Sequence, residues 1–250
     1  MTGRLFIVGL GPSDERFWTH DAQEALTLAQ DIIGYTPYLE RLTLRDDQIK
    51  HPSDNRVELA RAQDGLVKAA SGRIVAIVSG GDPGIFAMAA AVFEAIEFGN
   101  PDWRNIDITV IPGISAMQAA AARLGAPLGH DFCVISLSDN LKPWRLIEQR
   151  LEHAARGDFV IALYNPASKA RPNRIDDAFS LLRNILPSDT HVVLAKSIGR
   201  KNEELILTNL SSVDGSRVDM TTLVIIGSRA TRRLSRGAKE DWLYTPRGSK

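Results

Sequence analysis

The sequence predicts an α/β protein built as two α/β domains with a cleft between them, the second sheet mixed. Three observations predict it. Short runs rich in Ile and Val end in Gly or Pro, amphipathic stretches separate many of them, and the pattern lapses over residues 125–130 before restarting. Such alternation is how a largely parallel sheet with crossover helices reads, and 250 residues suffice for two cores of ordinary size.

In the first half, strands are expected at 5–9, 31–35, 73–79 and 107–111. Helices are expected at 22–29, at 57–70 with Leu59, Leu66 and Ala69 on one stripe and Gly72 as the stop, at 85–98 and at 115–124. These make a first domain over 1–124. Gly125-Ala-Pro-Leu-Gly-His130 has the turn residues of a linker. The second domain, 131–250, carries strands at 132–137, 159–164, 191–195, 204–208 and 222–227, with helices at 143–155 and 174–185. Two helices are too few to return five strands in parallel, so this sheet should be mixed. A polar tail follows Ser228.

Composition narrows the function classes. Thirty basic residues balance thirty acidic ones, which removes the global attraction that supports nucleic-acid or acidic-membrane binding. The first apolar run, Leu5-Phe-Ile-Val-Gly9, is too short for a signal peptide or a membrane span, and a cytoplasmic location is expected. Cys133 is the only cysteine, which excludes an internal disulfide, and its apolar setting marks it as a small core residue rather than a nucleophile. His20, His51, His130, His153 and His191 show no paired spacing, so no metal site is expected. Gly-x-Ser-x-Gly and the P-loop are both missing.

Three glycine turns follow predicted strands, at the edge where open α/β sheets bind ligands. Val8-Gly9-Leu10-Gly11-Pro12 lacks the third glycine of a dinucleotide fingerprint, which disfavours a nicotinamide-dependent reductase; it reads equally as a ligand loop or a steric turn. Ser79-Gly80-Gly81-Asp82-Pro83-Gly84 offers main-chain amides and, in Asp82, an acceptor for a ribose hydroxyl or an amine. The alternative is that Asp82 caps a helix with Pro83 at its first position, but a cap does not require two preceding glycines. Pro112-Gly113-Ile114-Ser115-Ala116 opens an alanine-rich helix, and Ser115 and Ala116 at its entrance are assigned to a ligand. In the second half, Leu163-Tyr-Asn-Pro-Ala-Ser-Lys169 breaks a buried strand, and Thr221-Thr222-Leu223 enters the last one.

In this order the three turns resemble the tetrapyrrole methylases, and the likeness covers almost the whole chain. His130-Asp-Phe-Cys-Val-Ile-Ser-Leu-Ser-Asp139 with Pro143-Trp144, and residues 163–169, are similar to the subgroup that methylates precorrin-3B at C-17 and contracts its ring to precorrin-4 in cobalamin biosynthesis. The anaerobic counterpart, acting on a cobalt-loaded substrate, remains an alternative. Asn140 and Lys142 stand where that pattern has leucine and threonine, which bears on the macrocycle pocket. Ser13 and His20 stand where it has glycine and proline, which bears on the start of the first helix.

The resemblance implies a homodimer and S-adenosylmethionine, leaving as S-adenosylhomocysteine, held by Pro12, Gly81, Asp82, Ile85, Ser115, Ala116, Tyr164, Thr222 and Leu223. Ring contraction needs a proton moved, and Asp139, His130 and Ser138 are the acid–base candidates. Each has a structural alternative: Asp139 as a helix cap, Ser138 as a backbone partner, His130 as a linker residue. Lys142, Arg145, Lys169, Arg171 and Arg174 lie beside the motifs and suit the carboxylate arms of a tetrapyrrole.

Overall fold

The computed structural model describes residues 3–55, 57–168 and 171–248. They form two compact units, Met1–Ser115 and Ala116–Lys250.

The first unit runs β1 (Arg4–Gly9), α1 (His20–Leu28), β2 (Asp31–Tyr35), α2 (Thr36–Leu39), β3 (Ile49–Ser53), α3 (Glu58–Ala70), β4 (Ile74–Ser79), α4 (Met88–Phe98) and β5 (Asp107–Ile111). Its sheet has the order β3-β2-β4-β1-β5, with every pairing parallel. Successive side chains of a strand face opposite ways, so β1 and β4 feed two cores. Leu5, Ile7, Val75 and Ile77 pack with Ala62, Leu66 and Ala69 of α3 and Val92 of α4. Phe6, Val8, Ala76 and Val78 pack with Ala22, Ala25 and Leu26 of α1. Parallel strands share one carboxyl edge, here formed by Gly9, Tyr35, Ser53, Ser79 and Ile111.

The second unit runs α5 (Ala116–Leu124), β6 (Gly125–Ala126), β7 (Phe132–Ser136), α6 (Trp144–Arg156), β8 (Val160–Tyr164), α7 (Arg174–Arg183), β9 (His191–Lys196), β10 (Glu204–Asn209), β11 (Thr222–Ile226), β12 (Arg232–Arg236) and β13 (Lys239–Tyr244). The main sheet, β10-β9-β11-β8-β7, is mixed: β7 and β8 are parallel and the other neighbours antiparallel. Ile147 and Leu151 of α6 and Ile175, Phe179 and Leu182 of α7 close one face over Ile135, Ile161, Leu163, Val192 and Val224.

Four sequence expectations are corrected. Residues 49–53, which lack strand patterning, form β3; it is an edge strand, the place where Pro52 costs no ladder bond. The stretch read as a polar tail forms the β12–β13 hairpin, and β13 pairs with β6 inside the expected linker. The fourth helix starts at Met88 rather than residue 85, because Phe86 takes a left-handed conformation at φ 52°. Leu59 is exposed; the buried face of α3 is Arg61, Ala62, Gly65, Leu66 and Ala69.

Candidate active site

At the carboxyl edge of the first unit, main-chain bonds lace the glycine turns together. Gly11 N donates to Gly81 O at 3.1 Å and Gly81 N to Gly11 O at 2.8 Å, while Leu10 N donates to Ser79 O at 2.9 Å. Gly81 sits at φ 70°, a region natural for glycine alone, and a Cβ on Gly9 would fall 2.7 Å from Gly113 N. Asp82 joins the second turn to the third: Oδ1 accepts from Gly84 N at 2.8 Å and Oδ2 from Gly113 N at 3.0 Å. It caps no helix, since α4 begins six residues later behind Ala87. Pro12, Gly81, Asp82, Ile85 and the buried Ser115 are all placed at this edge. The first loop is pinned as well: buried Ser13 accepts through its carbonyl from Arg41 Nη1 at 2.9 Å, and Thr19 Oγ1 caps α1 by accepting from Ala22 N at 3.1 Å.

In the second unit, β7 and β8 end together. Leu137 N donates to Tyr164 O at 2.9 Å, and Asn165 Nδ2 to Ser136 Oγ at 2.9 Å. Tyr164 Oη accepts from Met117 N at 3.1 Å, satisfying a first-turn amide of α5, the helix that Ala116 opens. Because β11 runs antiparallel to β8, its first residues, Thr222 and Leu223, arrive at the same edge. Buried Thr222 accepts from Asp219 N at 3.1 Å, and Asp219 pairs with Lys196 at 2.7 Å. Burial alone would raise the Asp219 carboxyl, but hydrogen bonds from Lys196 and Thr221 outweigh it and hold it at about 2.

Ser138 and Asp139 follow β7 onto this edge. Asp139 Oδ2 accepts from Arg174 Nε at 3.0 Å and Nη2 at 2.8 Å, and Oδ1 lies 3.4 Å from Arg171 Nε. Arg171 Nη1 donates to Leu137 O at 3.2 Å, and the Arg174 guanidinium lies over Trp144 at 4.5 Å. Asp139 does not cap α6, which starts behind Pro143 with no side-chain cap. Sequence reasoning named both arginines and the aspartate but missed that they form one cluster; Trp144 lay within the quoted segment without a role.

A family model, Tetrapyrrole (Corrin/Porphyrin) Methylases, matches residues 4–214. The chain belongs to the tetrapyrrole methylases. This methylase is 54% identical over 247 residues to a precorrin-3B C(17)-methyltransferase of Sinorhizobium sp, covering 99% of the chain and 97% of that relative. It is 41% identical over 246 residues to a probable cobalt-factor III C(17)-methyltransferase of Salmonella typhimurium, covering 98% of each. Among solved structures, the crystal structure of the methyltransferase CobJ matches with a TM-score of 0.93 at 46% identity, over 98% of this chain and 100% of that one.

The other expected site residues of the methylase are His130, Arg145, Lys142 and Lys169. His130 precedes β7, so the length of the strand, about 15 Å, separates it from Ser138 and Asp139; its Nδ1 accepts from Asp131 N at 2.7 Å. Arg145 is exposed on α6. Lys142 is half-buried, and burial, followed by the charge of Arg150, lowers its ammonium. Lys169 lies outside the described residues. Cys133 packs against the second core, where burial pushes its thiol up to about 11 and makes it a poor nucleophile. It lines a cavity of about 330 Å³ with Ile135, Arg150, His153, Ala154 and Phe159. Among the described residues no cluster of His, Cys, Asp and Glu could hold a metal ion, and no helix is long and apolar enough to cross a membrane.

Proposed function

We propose that this methylase transfers a methyl group from S-adenosylmethionine to C-17 of precorrin-3B, with contraction of the macrocycle to precorrin-4, in cobalamin biosynthesis. The observation that carries the reading is the 54% identity, over 99% of this chain and 97% of the relative, to the precorrin-3B C(17)-methyltransferase of Sinorhizobium sp. On the first unit, donor contacts are assigned to Pro12, Gly81, Asp82, Ile85 and Ser115; on the second, to Ala116, Tyr164, Thr222 and Leu223. The residues fit a donor rich in polar groups. A Cβ added to Gly81 would meet only Ser115 Cα at 3.9 Å, so a ligand can lie against the main chain there. Asp82 fixes the loop that would receive it, each of its oxygens spending one lone pair on a backbone amide.

The donor supplies a methyl group on a sulfonium, whose departure as a neutral thioether needs no protein nucleophile. What remains for the protein is alignment, and rigid turns laced by main-chain bonds suit it. For the contraction, Ser138 provides a hydroxyl at the carboxyl edge of β7, and His130, at the other end of that strand, is a second acid–base candidate. Arg171 and Arg174, with Lys142, Arg145 and Lys169, are assigned to the substrate's carboxylate arms. A homodimer in the cytoplasm completes the proposal.

The test is incubation of the purified protein with labelled S-adenosylmethionine and metal-free precorrin-3B, following product mass and absorption spectrum together. Gain of one methyl group with the spectrum of a contracted ring is expected. Transfer only to a cobalt-loaded substrate would instead favour the second reading, which the Salmonella relative supports.

A further inference from the structure

The acidic residue beside the second unit's carboxyl edge is engaged in a way that general acid–base chemistry does not explain. Asp139 has both oxygens turned to guanidinium groups, two bonds from Arg174 to Oδ2 and Arg171 Nε beside Oδ1. A general base needs a lone pair aimed at the proton it removes, at hydrogen-bond distance. Here the carboxylate lies between two guanidiniums in an enclosed cluster: its side chain is 16% exposed, Arg171 11% and Arg174 32%. Arg174 is fixed further by Asp177 at 3.0 Å and by the Trp144 ring beneath it. Arg171 is fixed by Leu137 O, yet its Nε is buried and makes no hydrogen bond. Two guanidiniums thus share one enclosed carboxylate, since Asp177 is 44% exposed and screened by water. The surplus is positive, and the terminal N–H groups that the two guanidiniums do not spend on Asp139, Asp177 and Leu137 O can donate to a second carboxylate.

We propose that Asp139 is a positioning residue, holding Arg171 and Arg174 as a paired receptor for one carboxylate arm of the tetrapyrrole and transferring no proton itself. The proposal rests on the tetrapyrrole reading above for its ligand. The cluster follows the carboxyl ends of the parallel pair β7 and β8, the edge at which α/β sheets present ligand-binding groups. An Asp at its centre spares each arginine the entropy of being ordered when the ligand arrives.

Fluorescence titration of the full chain with uroporphyrin, whose side arms end in carboxylates, and with its methyl ester tests this without turnover. Wild type should bind the acid more tightly than the ester. Arg171→Gln, Arg174→Gln and Asp139→Asn should each weaken acid binding about tenfold. Adding Asp139→Asn to the double arginine variant should cost nothing more, because the aspartate acts only through the arginines. An additive loss, or equal binding of acid and ester by wild type, overturns the proposal. Arg174→Lys provides the same test at a more exposed position should the aspartate variant fold poorly; it keeps the charge but loses the fork, and unchanged acid binding would count against the receptor. With precorrin-3B, Asp139→Asn should raise KM about tenfold, with the pH profile of kcat retained. A fall in kcat of about a hundredfold with loss of a pH limb would assign the aspartate to proton transfer instead. Absence of wild-type turnover on precorrin-3B, with acid–ester discrimination and the mutant pattern intact, would sink only the proposed substrate.

Discussion

Gly113 shows how closely single residues are committed at the first unit's edge. A Cβ on it would fall against Gly81 O and Gly9, all main-chain atoms that cannot swing away. Gly113→Ala should therefore destabilise the protein by about 1–3 kcal/mol through overpacking and part the turns that Asp82 clamps. Gly81→Ala meets only an ordinary contact, Ser115 Cα at 3.9 Å, and should cost only the left-handed strain, about 1–2 kcal/mol. Denaturant midpoints measure the first effect and calorimetric titration with S-adenosylmethionine the second. If both alanines leave donor affinity unchanged, the laced turns are scaffold and do not hold the donor. The glycines were legible in the sequence because strand-Gly-x-Gly-Pro and Gly-Gly-Asp-Pro are local patterns. Their mutual bonding was not, since Gly11 and Gly81 are brought together only by β1 lying beside β4.

At the scale of elements, α5 enters its first turn under the Tyr164 hydroxyl, so a residue expected to touch the donor also satisfies a helix amide. Tyr164→Phe removes the hydroxyl that accepts from Met117 N and should cost about 1 kcal/mol of stability, read from the urea midpoint. A donor affinity that falls with it would place the start of α5 in donor binding, whereas unchanged affinity would confine Tyr164 to the helix entry. Strong periodicity made most elements readable, with bounds off by up to three residues. Those missed share a physical cause. β3 carries Lys50, His51 and Pro52, and β12–β13 is mostly charged; edge strands and hairpins facing water need no apolar alternation. In α3 the error ran the other way, with Leu59 exposed and Arg61 buried. Arg61 donates to Ser53 Oγ at 2.8 Å and Asp54 O at 2.7 Å, non-local bonds that a helical stripe cannot announce.

Across the whole molecule, acid should be more damaging than the balanced charge suggests, because depressed carboxylates occur in both units. Asp31 is 2% exposed and pairs with Arg73 and, at 2.7 Å, with His51. Burial opposes its ionisation, but hydrogen bonds from Arg73 and His51 outweigh it and keep the carboxyl below its ordinary value of 3.8. Asp219 is held at about 2 in the second unit, likewise against its own burial, by Lys196 and Thr221. In the unfolded chain both carboxyls bind protons more readily, so their contribution is complete above pH 3.8 and disappears as pH falls through the folded values. Urea midpoints should fall between pH 4.5 and pH 2.5, by about the arithmetic of these shifts. Asp31→Asn isolates one term. At pH 7 it should cost about 2 kcal/mol by removing charge-assisted bonds, and the gap to wild type should narrow as wild type protonates the same carboxyl in acid. A gap that stays constant from pH 7 to pH 2.5 would mean that Asp31 contributes through packing rather than charge.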